Sequence, residues 1–423
     1  MRDVTPLPVL GRRISVVWLV TRVVSIASIF LTHRLLDDVW IYEGWMRFLA
    51  HRDFPLLDPK WQYPPGAGVM LLIPHAFGDH YGVLFVTLMV LLDAAIMAVL
   101  IWARFRSPHA SWKGAWLWAG AALMVGPIMY TRFDLLPTMF AVIAIVLVAR
   151  PTLSGVASAF GLFAKVWPGL LVLILPRPAL RRGVTSFVLT SIALTIAFVV
   201  LFQNSFSFLH NQTSRGLQVE SVGALPYVLY HLTGRVVDVH LSYGSMQVTM
   251  AGAEIIGTTL TLLGLAMIAV IAFWRLSGRL EKVPAGDVAL AVVLVSLATS
   301  RVYSPQFNVW IIGVTCAALL TGATRMRRVA VILIAVSLLT QLVYPWFPSG
   351  LSDGSIVIGL VQVARIVGLV AATVIAVWRI SPWRGSSQGP QSNGRGGGDI
   401  ERVDTTVHGD ADYDIRRLQG SVR

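Results

Sequence analysis

Gly161-Leu162-Phe163-Ala164-Lys165-Val166-Trp167-Pro168 lies in the middle of an apolar run, residues 153–176. Arg150 flanks that run on one side, and Arg177, Arg181 and Arg182 flank it on the other. Short loops rich in Lys and Arg stay on the cytoplasmic side of a membrane. Both ends of the run therefore belong on one side, which predicts a hairpin turning near Lys165 and Pro168. Each arm of about ten residues is roughly 15 Å of helix, enough to reach mid-membrane. Non-helical backbone at that depth is tolerated only where it lines a cavity. The competing reading is a single kinked helix that crosses fully. It would invert every later loop and put three arginine-rich clusters outside.

Working outward, apolar runs fall near 14–32, 82–103, 114–131, 133–149, 184–202, 250–274, 286–300, 307–322, 328–345 and 355–379. The chain is 56% hydrophobic and 13% charged, a composition of α-helical membrane proteins and not of soluble domains. These runs predict an all-α polytopic membrane protein of about ten full spans plus the half-helix hairpin. The first run, behind Arg12 and Arg13, reads as a retained helix and not a cleaved signal peptide. The net charge of +13 comes from short basic loops between the runs, so it points to membrane orientation and not to nucleic acid. The single cysteine, Cys316, excludes an internal disulfide and a thiol-based metal site. Two regions follow: a transmembrane domain, 1–380, and a tail, 381–423, whose Gly-rich and mixed-charge composition predicts a disordered cytoplasmic segment.

With the basic loops inside, the outer segments are 33–80, 131–134, 203–249, 301–305 and 346–354. They carry most of the acids outside the tail. The first opens with Asp37-Asp38-Val39-Trp40-Ile41-Tyr42 and closes with Trp61-Gln62-Tyr63-Pro64-Pro65-Gly66. Neighbouring carboxylates at a membrane edge raise the proton affinity of one of them, which suits a catalytic base. Asp38 is the preferred base, because Tyr42 lies one helical turn beyond it on the same face. A lone Asp would read as a helix cap. Pro64 and Pro65 suit the first turn of a helix, predicting a short interfacial helix over 66–76.

Lys165, within an apolar half-hairpin, is a functional candidate by its position in the membrane. It could hold a phosphate, as could Arg215 and Arg301. Arg132 and Asp134 sit in a tight turn, either as a structural ion pair or as a wall of the same site. The stretch 210–221 offers Gln218 and Glu220 as hydrogen-bonding partners for a polyol. Gln306, directly after Pro305, and Tyr63 complete the candidate substrate contacts. Arg22 and Arg365, within spans, either pair with Asp93 or hold lipid headgroups.

The pieces Asp38-Val39-Trp40-Ile41-Tyr42, Trp61 to Gly66, Gly161 to Pro168, Arg215 to Ser221 and Ser304-Pro305-Gln306 together resemble the GT-C glycosyltransferases. They are most similar to the bacterial polyprenol-phosphate-mannose-dependent α-mannosyltransferases of glycosyltransferase family 87. The resemblance implies a GT-C-like bundle with outer-face loops forming the active site. It implies a catalytic aspartate in the first outer loop, matched by Asp38, a polyprenyl-phosphate sugar as donor, a cell-envelope lipid or glycan as acceptor, and inversion at the anomeric carbon. The acid pattern of metal-dependent oligosaccharyl transferases is missing, so neither a metal nor another cofactor is expected. The chemistry agrees with the residues. One carboxylate can take the acceptor's proton, and cations stabilise charge growing on a leaving phosphate. No Walker or Rossmann pattern suggests a nucleotide-sugar donor. The alternative is a transporter or flippase of a polyprenyl-linked lipid, which would tolerate Asp38→Asn and form no glycosidic bond.

Overall fold

In the computed structural model, residues 7–213 and 215–382 are described. The tail, but for its first two residues, therefore lies outside the described residues. The described residues are mainly helical, with one small sheet among them. Among the described residues, six helices are long and apolar enough to cross a membrane: Leu10–Leu31, Tyr81–Arg106, Arg177–Leu201, Ala253–Leu276, Arg327–Trp346 and Ile356–Ile380.

The other four apolar runs fold as shorter helices: Lys113–Val125, Leu135–Val146, Ala285–Ala298 and Asn308–Leu320. At 12–14 residues each is about 18–21 Å long, against about 30 Å of hydrocarbon. Past Lys113–Val125 the apolar run continues, but the backbone does not stay helical. Gly126, with φ of +78°, and then Pro127 stop the first of them. These four form the centre of the bundle, and every residue of Asn308–Leu320 is buried. The backbones approach closely: a Cβ at Gly114 would lie 2.3 Å from the Cys316 carbonyl oxygen.

Charges inside the bundle are matched. Arg22 donates from Nε and Nη2 to the two oxygens of Asp93, at 2.7 and 2.8 Å, and the Tyr130 hydroxyl donates to the same carboxylate. Arg365 instead donates to the Thr340 hydroxyl, the Gln362 amide oxygen and the Tyr303 carbonyl. Leaving either guanidinium unpaired there would be costly.

The hairpin is built from helix Pro151–Ala164, an extended Lys165, and a 3-10 helix over Trp167–Ile174. Eight residues of 3-10 helix rise about 16 Å. Both ends of the hairpin meet one point on the next helix. A Cβ at Gly183 would lie 3.0 Å from the Pro151 carbonyl oxygen and 2.2 Å from the Leu175 side chain. The chain thus leaves and returns at the same end of the bundle, and Arg275 secures the return by donating to the Leu173 and Ile174 carbonyls.

Around the opposite end, helix Asp37–Gly44 and helix Pro65–Ala76 bracket the first loop, with Pro65 in the first turn as its sequence predicts. The segment 203–249 carries the sheet. Strand Ser245–Val248 pairs antiparallel with Leu217–Gln218 on one side and Val239–Ser242 on the other. Tyr243 and Gly244, both at positive φ, make the two-residue turn of that hairpin.

Candidate active site

Ends of the central helices and the loops beside them line a cavity of about 1130 Å³. Asp37 and Asp38 reach it from the first turn of helix Asp37–Gly44. Asp37 is exposed. Asp38 is about one-third exposed and forms an ion pair with the largely buried Arg132. Arg132 also donates to the Thr131 carbonyl and lies 3.5 Å from the Tyr344 hydroxyl, so its position is fixed independently of Asp38.

Tyr42 is buried, its ring packed against Trp45, Phe85 and Phe133. Its hydroxyl is hydrogen-bonded to Tyr63, while the charged partner of Asp38 is Arg132. Burial, with Asp134 close by, pushes the Tyr63 hydroxyl up to about 12, so it stays neutral at ordinary pH.

Lys165 sits at the turn of the hairpin. Its ammonium donates to Asp134 Oδ1 at 2.6 Å, and Trp310 Nε1 donates to the same oxygen at 2.6 Å. Four rings surround the ammonium, with centroids 4.7 to 5.7 Å away: Trp310, Phe307, Phe133 and Tyr63. Phe307, Trp310 and Trp167 stack in sequence at 4.0 and 5.2 Å. Lys165 lines the cavity; Asp134, 1% exposed, is not among the lining residues.

Arg215 is held differently. It donates to the Gln62 side-chain oxygen at 2.6 Å and lies 3.4 Å from the Ser245 hydroxyl. Its Nε is buried without a hydrogen-bond partner. Among the described residues no carboxylate lies within ion-pair distance of it. The guanidinium therefore lines the cavity with its charge balanced by no carboxylate among the described residues.

Gln218, Glu220 and Gln306 also line the cavity. Gln218 accepts from the Tyr303 amide and donates to Glu220 at 2.9 Å. Burial raises the Glu220 carboxyl above the usual range, and the Arg365 charge pulls it part of the way back. Arg301 is not among the lining residues, although Ser300 and Val302 are. It pairs with Glu254 instead. Of the twelve candidates read from the sequence, the structure thus gathers ten around one cavity and sets Asp134 and Arg301 outside its lining.

The sequence model of glycosyltransferase family 87 matches residues 61–300, more than half of the chain. The chain belongs to glycosyltransferase family 87. No curated protein and no solved structure matches it. The span matched to family 87 includes Tyr63, Arg132, Asp134, Lys165, Arg215, Gln218 and Glu220. It leaves Asp37, Asp38, Tyr42, Arg301 and Gln306 outside, on elements that pack against it.

Other cavity residues of this family 87 chain carry no sequence signal. Trp310 looks like any aromatic residue in a core helix, yet it fixes the oxygen that holds Lys165. Gln62 fixes Arg215, and Lys60 joins Arg132, Lys165 and Arg215 as a fourth cation in the lining. Only Gln62, inside the quoted aromatic-proline element, was within reach of sequence reasoning.

Proposed function

We propose that this family 87 protein moves a sugar, most simply mannose, from a polyprenyl-phosphate donor to a cell-envelope lipid or glycan acceptor on the outer face of the membrane, with inversion. The observation that carries this reading is the content of one cavity: a carboxylate positioned by Arg132 and an arginine without a carboxylate partner. In the proposed reaction an acceptor hydroxyl attacks the anomeric carbon from the face opposite the phosphate. Asp38 takes the hydroxyl proton as the new C–O bond forms. The bond from the anomeric carbon to the phosphate oxygen breaks, and its electron pair leaves with the lipid phosphate. Arg215, with Lys165 and Lys60 nearby in the lining, stabilises that charge. Tyr63, Gln218, Gln306 and Glu220 offer a hydroxyl, two amides and a carboxyl for the sugar. The outer location is supported by the basic loops, which can all face the cytoplasm together.

The test is transfer itself. Purified protein is given radiolabelled polyprenyl-phosphate-mannose and an envelope lipid extract, and the labelled product is isolated. A new glycosidic bond that depends on Asp38 supports the proposal. Label that moves across a vesicle unchanged would replace it with the transporter reading. Polyprenyl-phosphate-linked glucose and arabinofuranose in parallel assays identify the sugar.

A further inference from the structure

Arg301 has the residue type of a phosphate ligand, but its surroundings engage it elsewhere. Nη1 and Nη2 donate to the two oxygens of Glu254 at 2.8 and 2.7 Å, and Nη2 also donates to the Thr258 hydroxyl at 2.7 Å. Nη1 further donates to the main-chain carbonyl of Arg215 at 3.2 Å. The carbonyl of Arg301 itself accepts from the Gln218 amide at 2.9 Å. One residue therefore ties the same short segment at two points. Glu254 and Thr258 are one turn apart on helix Ala253–Leu276 and present their oxygens together. Gly257, between them, leaves the room: a Cβ there would lie 3.1 Å from Arg301 Nε.

We infer that Arg301 is a positioning residue, which fixes the main chain at 215–218 so that the Arg215 and Gln218 side chains meet the cavity, and which does not itself touch the donor. The segment needs such a tie. Its strand, Leu217–Gln218, is two residues long and has a single strand neighbour, Ser245–Val248. A ladder that short holds its register weakly. The Arg301–Glu254 pair is itself a poor source of stability, because the Glu254 side chain is 73% exposed. What it contributes is the direction in which the guanidinium points. This inference rests on the proposed phosphate role of Arg215, and the two are separable by experiment.

Two readouts are taken on detergent-solubilised protein: amide hydrogen exchange over 215–218, and donor KM and kcat with polyprenyl-phosphate-mannose. Arg301→Ala and Glu254→Gln are each made alone and with Arg215→Ala. Glu254→Gln changes a surface side chain outside the cavity, so it keeps the test alive if Arg301→Ala folds poorly. Both single variants are expected to speed exchange at 215–218, to raise donor KM about tenfold and to lower kcat as well, because Arg215 also meets the charge growing on the leaving phosphate. In the Arg215→Ala background the rise should shrink to the part carried by Gln218. Unchanged exchange at 215–218 overturns the inference. So does an equal rise in KM with and without Arg215, which would make Arg301 a direct donor contact. If exchange speeds up in both variants but Arg215→Ala alone leaves KM unaltered, the positioning role stands and the phosphate role of Arg215 fails.

Discussion

Asp38 shares its carboxylate with Arg132 and still presents about a third of its surface. Asp38→Asn keeps the shape and removes the basicity. The protein is expected to fold and bind donor while turnover falls by roughly two to four orders of magnitude, the range of a lost general base. Asp37→Asn should do less. An inactive Asp37→Asn beside an active Asp38→Asn would move the base to the neighbouring residue, and two active variants would remove catalysis from this loop. The cations differ in kind. Arg215→Ala removes a charged contact and should weaken apparent donor affinity about ten- to a hundredfold. Lys165→Ala also strands Asp134, so a drop in melting temperature is expected. Adding Asp134→Asn should restore most of it, because the uncompensated buried charge is then gone. Glu220 gives a pH signature. Its raised carboxyl means that the folded state binds the proton more tightly than the unfolded chain. The stabilisation is full below the unfolded-chain value and is lost as pH rises through the raised one. Melting temperature should therefore fall across that window, and Glu220→Gln should flatten the curve. At this scale the charged members of the cavity other than Lys60 were legible, because a Lys, Arg or Asp stands out in apolar sequence, whereas Lys60 sits in a polar loop. Their partners were not. Arg215 meets Gln62 across 153 residues of chain and Trp310 meets Asp134 across 176, and no local pattern encodes contacts at that separation.

Among elements, the hairpin was legible, because charge on both flanks constrains where its ends lie. The stopping points of the central helices were not, since a hydropathy window passes over Gly126-Pro127 without registering that the helix has ended. The small sheet was hidden for a related reason: strands of two to four residues give too few alternations to read. The seam that locks the hairpin makes a testable contrast. A Cβ at Gly155 would lie 2.1 Å from the Gly183 carbonyl oxygen, whereas one at Gly11 meets nothing within 4 Å. Backbone cannot yield as a flexible side chain can. Gly155→Val should destabilise by about 1–3 kcal/mol or more, visible as an earlier thermal transition in detergent. Gly11→Ala should leave that transition in place.

For the whole molecule, the fold class follows from composition and run length, and the single buried Cys316 makes its orientation measurable. On a Cys316→Ala background, a cysteine at Leu180 is expected to react only with reagent supplied from the cytoplasmic side. Reaction only from outside would make residues 153–176 a full crossing. The short central helices carry one more consequence for a lipid-linked donor. None of the four is long enough to cross the hydrocarbon by itself, and Trp310 of one of them lines the cavity together with Lys165 of the hairpin. Each five-carbon unit of an isoprenoid lifted into water exposes about 4 kcal/mol of apolar surface. For the proposed polyprenyl-phosphate donor, a reaction centre reached from within the hydrocarbon would leave those units there, and turnover would involve sliding the lipid sideways rather than extracting it.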